Sequence, residues 1–264
     1  MPDGPPSITP KVAAGLQHTC SLSMTGAVAC WGENTSGEAT APTGMFKDIS
    51  LGTSFSCGVR TDGTLHCWGL NTSGQATPPS GTFLEVEAGG THACAIRSDN
   101  TVACWGANDM NQSSSPGGTY KHVNAGGRHT CGMHPNGIVQ CWGSNDSGQS
   151  TVAAPADMFN AIDTGDAFTC ATREDNTLQC WGRNAEGQDI EPSGTYSRLC
   201  AGGAHACAIS GSGISCWGRN AEQQATPPAG NYTSVACGNL HSCAMRVDGT
   251  VTCWGLNNLG QAPP

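Results

Sequence analysis

The sequence predicts an all-β protein, a seven-bladed β-propeller with about four short antiparallel strands per blade. Three observations carry that expectation. A Cys-Trp-Gly step recurs seven times, a cysteine pair keeps a near-constant spacing, and turn residues fall at fixed offsets between short β-type runs. The tryptophans are Trp31, Trp68, Trp105, Trp142, Trp181, Trp217 and Trp254, spaced by 37, 37, 37, 39, 36 and 37 residues. A fixed period in the range of about 20–50 residues marks a repeat architecture, in which each copy buries its apolar face against the next.

Six of the seven copies open on an aromatic residue that starts a strand: Phe46, Phe83, Tyr120, Phe159, Tyr196 or Tyr232. A Gly-Gly-x-His type turn follows, then a second strand carrying the first cysteine. Next comes a three-residue turn: Met24-Thr25-Gly26, Thr61-Asp62-Gly63, Ser98-Asp99-Asn100, Pro135-Asn136-Gly137, Glu174-Asp175-Asn176 and Val247-Asp248-Gly249. Its third residue is always Gly or Asn, the types that tolerate the left-handed conformation a three-residue hairpin requires there. The remaining hairpin is one residue shorter and turns on Gly211-Ser212. A third strand bears the second cysteine and the tryptophan. Asn-x-x-Gly-Gln or a near variant follows (Asn34–Glu38, Asn71–Gln75, Asn145–Gln149, Asn184–Gln188, Asn257–Gln261), then a Pro-containing connector.

Length variation falls in connections: the shortened hairpin, and two extra residues within Ser150–Asp157. Strand lengths are held while loops vary, as packed sheets require. The expectation is one domain over 1–264, with 1–8 as an N-terminal connector and Pro264 ending where Pro5 resumes the same connector.

Fourteen of the sixteen cysteines form seven pairs: Cys20/Cys30, Cys57/Cys67, Cys94/Cys104, Cys131/Cys141, Cys170/Cys180, Cys207/Cys216 and Cys243/Cys253. The hairpin register sets each pair directly cross-strand, within reach of a disulfide. His18, His92, His129, His205 and His241 each lie two residues before a Cys, so two thiolates and an imidazole offer a zinc alternative. Phe55 and Phe168 replace the histidine in two copies that keep both cysteines, which favours disulfides over metal. Reduced core thiols are the third alternative. Cys200 and Cys237 remain, on corresponding strands one register position apart, so they point to opposite sheet faces. That parity suits a bond between adjacent blades; the alternative is two buried free thiols.

Composition excludes several function classes. Net charge is −9 with 11 Lys+Arg, so no basic stripe exists for nucleic acid. No apolar run reaches the roughly 20 residues of a membrane-spanning helix. The first residues, Met-Pro-Asp-Gly-Pro-Pro, lack the pattern of a signal peptide. No catalytic, cofactor or metal motif stands out, and none is expected. Seven cystines imply an extracellular, cell-surface or periplasmic setting.

The pattern Ala-Gly-Gly-x-His-x-Cys … Asp-Gly-Thr-Val-x-Cys-Trp-Gly-x-Asn-x-x-Gly-Gln resembles the repeat of the regulator of chromosome condensation superfamily. The cysteine-bearing form resembles bacterial secreted members and the ectodomains of plant crinkly-type receptor kinases. It is also similar to the propeller-type β-lactamase inhibitory protein, whose repeats lack the cysteines. The resemblance covers almost the whole chain and implies the propeller. For function it spans an exchange factor, inhibitors and receptor modules.

Following the meander, the Gly-Gly-x-His turn and the Asn-x-x-Gly loop emerge at one end of the ring, the hairpin turns and Pro connectors at the other. Copies differ most at the first end, which nominates Phe55, Met110, Arg128, Phe168, Arg183, Arg219, Leu240 and Leu259 as partner-binding residues. The seven tryptophans read as interblade packing rather than a sugar-stacking platform. Five Asn-x-Ser/Thr sequons occur, at Asn34, Asn71, Asn111, Asn145 and Asn231. The expected function is a non-enzymatic extracellular or cell-surface module binding a protein or glycan through one loop face. The alternatives are a proteinaceous enzyme inhibitor and a self-associating subunit of a surface filament or coat.

Overall fold

A computed structural model describes residues 8–211 and 213–263. The expected connector 1–8, Ile8 apart, lies outside the described residues, as do Ser212 of the short hairpin and Pro264. Seven antiparallel sheets follow one another along the chain, each built from consecutive strands in the order inner, middle, outer. Blade 1 comprises Lys11–Ala14, His18–Leu22 and Val28–Gly32; blade 2 Phe46–Leu51, Phe55–Arg60 and Leu65–Gly69. Blade 3 is Phe83–Ala88, His92–Arg97 and Val102–Gly106; blade 4 His122–Ala125, His129–Met133 and Val139–Gly143. Blade 5 is Phe159–Thr164, Phe168–Arg173 and Leu178–Gly182; blade 6 Arg198–Ala201, His205–Ser210 and Gly213–Gly218. Blade 7 is Tyr232–Cys237, His241–Arg246 and Val251–Gly255.

The blades have three strands, not the four expected. The cause is the turn out of the third strand. Gly32 and its six equivalents hold positive φ, and a Cβ on Gly32 would meet the Gln17 carbonyl at 2.6 Å. Past that point the Asn side chain binds the loop's own amides, and Pro cannot donate to a ladder. The outermost stretch is therefore loop.

The hairpins follow their turn chemistry: Gly26, Gly63, Asn100, Gly137, Asn176 and Gly249 all have positive φ. The register sets the two cysteines of every hairpin opposite each other. The resulting disulfides are Cys20–Cys30, Cys57–Cys67, Cys94–Cys104, Cys131–Cys141, Cys170–Cys180, Cys207–Cys216 and Cys243–Cys253, with Cα atoms 4.0–4.1 Å apart. Cys200–Cys237 is the eighth.

The two halves of a cystine are not equivalent. Each middle-strand sulfur lies in the blade interface, and Cys20, Cys57, Cys94, Cys131, Cys170, Cys207 and Cys243 are all 0% exposed. The outer strand is the rim of the blade, so Cys30, Cys67, Cys104, Cys141 and Cys216 are only half-buried, while Cys180 and Cys253 are buried.

The core is divided among the interfaces. Phe168, Cys170 and Leu178 of blade 5 pack with Ala206, Ala208 and Trp217 of blade 6, and corresponding clusters occupy the other interfaces. The ring closes on the same terms, because Thr19 of blade 1 bonds His241 and the Gln261 carbonyl of blade 7. At the axis, Asn239 N–H reaches the Gly15 carbonyl at 3.3 Å, while Gly203 reaches Gly238 and Asp166 reaches Gly202 at 3.2 Å.

The inner strands surround an axial cavity of about 950 Å³. They are sheet edges, and side chains of the preceding blade cap their free amides: Asp48 accepts from Val86 N–H, Glu85 from Val123 and Asp163 from Ala201.

Candidate partner-binding face

At one end of the ring, the turn before each middle strand is tied to the loop after the outer strand of the same blade. Glu33 N–H donates to Gln17 O, Ser144 to Arg128 O, Arg183 to Ala167 O, Arg219 to Ala204 O and Leu256 to Leu240 O, at 2.8–2.9 Å. Both loop sets therefore share this end.

The loop after the outer strand is braced from within. Asn34 Oδ1 accepts from Ala39 N–H at 2.9 Å while its Nδ2 donates to Thr40, and Asn71, Asn108, Asn145 and Asn220 repeat the arrangement. Asn108 and Asn220 do this without a sequon, so the asparagine serves the turn. Two residues before the buried Gln, a backbone amide donates back into its side chain: Met110 to Gln112, Ser147 to Gln149, Glu186 to Gln188, Glu222 to Gln224, Leu259 to Gln261. The carbonyl of that same Gln, or of Glu38, accepts the indole N–H of the next blade's tryptophan at all seven interfaces. The tryptophans thus pin each loop to its neighbour.

A second ring of contacts underlies this one. His18, His92, His129, His205 and His241 each meet a hydroxyl of the next blade, Ser56, Thr130, Thr169, Ser242 and Thr19, at 2.8–2.9 Å. Each hydroxyl already donates to a loop carbonyl, so the imidazole must donate from Nε2 and carries no proton on Nδ1. Burial, reinforced by a neighbouring imidazole at His18, His129 and His205, lowers these rings to pKa values of about 3–4.

This accounts for Phe55 and Phe168, and it corrects their assignment as partner-binding residues. Both are 0% exposed. They stand where the next blade has Ala93 or Ala206 in place of the hydroxyl, and they share its apolar cluster. An imidazole there would lack its acceptor; a phenyl fills the space. The signal lay in the sequence: five His copies precede Ser or Thr one copy later, and two Phe copies precede Ala.

The other nominated residues are accessible. Arg128, Arg183 and Leu259 are exposed, while Met110, Arg219 and Leu240 are half-buried. Arg128 pairs with Asp109, and Arg219 with Glu222 at 2.7 Å. Arg183 has no ion-pair partner among the described residues. The cystines serve packing rather than the face. Cys67, Cys141 and Cys180, like the other outer-strand cysteines, lie within their strands, short of the loops, and belong to or pack against the interblade clusters.

The opposite end carries a feature that sequence reasoning missed. Met24 and Val247 in hairpin turns are 74% and 68% exposed, and Met45 beside the Gly26 turn and Ile138 and Met158 beside the Gly137 turn are exposed as well. Periodicity could not flag Met24 and Val247, because the first position of the hairpin turn changes identity from copy to copy and so carries no repeat signal. At the same end Asp62, Asp99, Asp175 and Asp248 each accept the hydroxyl and amide of the Thr two residues on, which hold these carboxyls below their usual pKa.

Inside the axial cavity the charges are mixed. Burial pushes Glu87 up to about 8 and Asp163 up to about 7, with Lys11 pulling both back. For Lys11, burial acts to lower its pKa, but Asp48 at 2.7 Å and Glu87 outweigh that and raise it. The sulfur atoms of Cys200, Cys207 and Cys237 lie close together, yet all are held in disulfides, which leaves no thiolate to ligate a metal.

The repeat described as "Regulator of chromosome condensation (RCC1) repeat" matches residues 11–38, 46–75, 84–112, 120–149, 159–188 and 232–261. The unmatched copy is blade 6, which has the short hairpin. Among solved structures, the chain is similar to the CRINKLY WD40 ectodomain of the Arabidopsis thaliana receptor kinase ACR4. That pair is 23% identical over 96% of this chain and 97% of the other, with a TM-score of 0.80. It is also similar to the ectodomain of the Physcomitrella patens receptor kinase CR4, at 26% identity, 92% and 73% coverage and a TM-score of 0.82. Prp20p from Saccharomyces cerevisiae has the same fold, at 15% identity, 94% and 83% coverage and a TM-score of 0.77. No match is found among the curated proteins.

Proposed function

The chain belongs to the Regulator of chromosome condensation (RCC1) repeat family, and from that premise we propose that it is a non-enzymatic interaction module working outside the reducing cytosol. It presents the braced loop end of the propeller to a protein partner. One observation carries this reading: the loop tips differ from copy to copy, while the buried Gln and the neighbouring indole hold every tip in the same frame. A rigid scaffold with variable tips loses little entropy on binding. Arg128, Arg183, Arg219, Met110, Leu240 and Leu259 supply cationic and apolar contacts there. Similarity to two receptor-kinase ectodomains supports the extracellular setting.

A protein fits better than a glycan or the inhibitor alternative. Among the described residues no Trp, Tyr or Phe is among the exposed large hydrophobics, and the half-buried Trp31 and Trp105 spend their indole N–H on a neighbouring loop carbonyl, which disfavours an aromatic platform for a sugar or an enzyme cleft. A second reading rests on Met24 and Val247, which would place the contact at the hairpin end.

The test captures surface or secreted proteins of the source on the immobilised chain, then repeats the capture with two variants. Arg128→Glu/Arg183→Glu/Leu259→Asp is expected to weaken capture by about tenfold or more, as loss of anchoring residues does. Met24→Ser/Val247→Ser is expected to leave it unchanged. The reverse pattern supports the second reading, and indifference to both variants contradicts a loop-face module.

A further inference from the structure

Blade 6 differs from the other blades in one chemical respect. Its inner strand carries Cys200 where the equivalent waist positions hold Ala13, Ser50, Glu87, Asn124, Asp163 and Ala236. Cys200 lies directly opposite Cys207, and Cys207 directly opposite Cys216, so three cysteines form one row across the sheet. Directly opposed residues share a sheet face. Cys207 thus has a potential partner on either side. The structure bonds it to Cys216, and bonds Cys200 to Cys237 of blade 7. The sulfur atoms of Cys200, Cys207 and Cys237 all lie within 4.8 Å of one another.

We propose that these two disulfides form a single thiol–disulfide exchange unit, open to small thiols at the axial cavity and able to pass a free thiol to the outer strand of blade 6. Cys200 and Cys237 line the cavity of about 950 Å³. Cys237 is half-buried while Cys200 is buried, so Cys237 is the sulfur that an entering thiolate reaches. Attack there forms a mixed disulfide on Cys237 and releases the Cys200 thiolate. That thiolate attacks Cys207, forms Cys200–Cys207 and displaces the Cys216 thiolate, which takes a proton from water. Two disulfides and one thiol exist before and after, so no oxidant is needed. The other blades have no sulfur at the waist position of Cys200, which closes this route to their cystines.

The first experiment incubates the native protein with reduced glutathione, quenches with acid, alkylates and maps the peptides. The expected products are a glutathione adduct on Cys237, a Cys200–Cys207 linkage and alkylation at Cys216 at least about tenfold above that at the half-buried outer-strand cysteines Cys30, Cys67, Cys104 and Cys141, which cannot be displaced this way. The second uses Cys237→Ser without added thiol, where the free thiol is expected to divide between Cys200 and Cys216. An adduct on Cys200, or label confined to Cys200 with Cys207–Cys216 intact, overturns the proposal in either experiment. Should the variant fail to fold, the native protein alone still decides.

Discussion

The hydroxyl beneath each middle-strand histidine does two jobs, accepting from the imidazole of the preceding blade and donating to a loop carbonyl. Removing it from one interface isolates that pairing. Thr169→Ala leaves the buried Nε2–H of His129 without an acceptor, and His129→Phe removes the donor; each is expected to cost about 1–3 kcal/mol. The double variant recreates the Phe55–Ala93 arrangement and is expected to recover most of that loss, read from urea midpoints. Strictly additive losses would contradict the pairing. The titrating groups also fix a pH profile. The five imidazoles ordinarily titrate at 6.5 but in the fold only at about 3–4, so their contribution is full above 6.5 and lost as pH falls. Glu87 and Asp163 have raised pKa values, so theirs is full below the ordinary carboxyl values and lost as pH rises through about 7–8. Between 4.5 and 6.5 the five imidazoles outnumber the two carboxyls. Thermal scans are therefore expected to show a melting maximum near pH 6.5 with a steep acid limb. In Glu87→Gln the decline from 6.5 to 8 is expected to be shallower. A flat profile across pH 4–6 would contradict the neutral imidazoles.

At the scale of the element, the blade is legible in the sequence because its signals are local. Gly or Asn at the third hairpin position, a ten-residue cysteine spacing and an aromatic strand opener each act within one copy. The absence of a fourth strand is not legible, because strand count depends on whether an outermost segment finds a partner. Here Asn34 and its equivalents take the loop amides first. Nor does the spacing show that the rim half of a cystine, as at Cys67 and Cys141, keeps contact with solvent while Cys180 does not. Removing one blade's disulfide as Cys94→Ser/Cys104→Ser is expected to cost about 2–3 kcal/mol, the loop-closure value for so short a ring. Denaturant titration checks it, and an unchanged midpoint would show that the sheet alone holds the pair. Gln112→Ala strips the acceptor from Met110 N–H while sparing the carbonyl that holds Trp142. A loss of about 1–3 kcal/mol is expected there too, the cost of a buried amide left unpaired.

For the whole molecule, the copies are joined less by strand pairing than by side chains that reach one copy forward. Indole to Gln carbonyl, imidazole to hydroxyl and carboxylate to edge amide all cross an interface. These contacts were partly legible. The repeat count and the opposite parity of Cys200 and Cys237 were visible in sequence, because both follow from period and register. Which of the variable positions reach the surface was not. Phe55 and Phe168 sit at variable positions for reasons of packing, whereas Met24 and Val247 are exposed at a turn position whose identity the repeat does not fix. Variation between copies therefore mixes buried compensation with surface difference, and only burial separates them. The proposed binding face depends on loop tips that the ring holds rigid, and amide hydrogen exchange on the native protein measures this directly. The N–H groups of Met110, Ser147, Glu186, Glu222 and Leu259, each bonded to a buried Gln, are predicted to exchange as slowly as the outer strands beside them. Exchange at the rate of an unstructured loop would contradict the braced face and the function built on it.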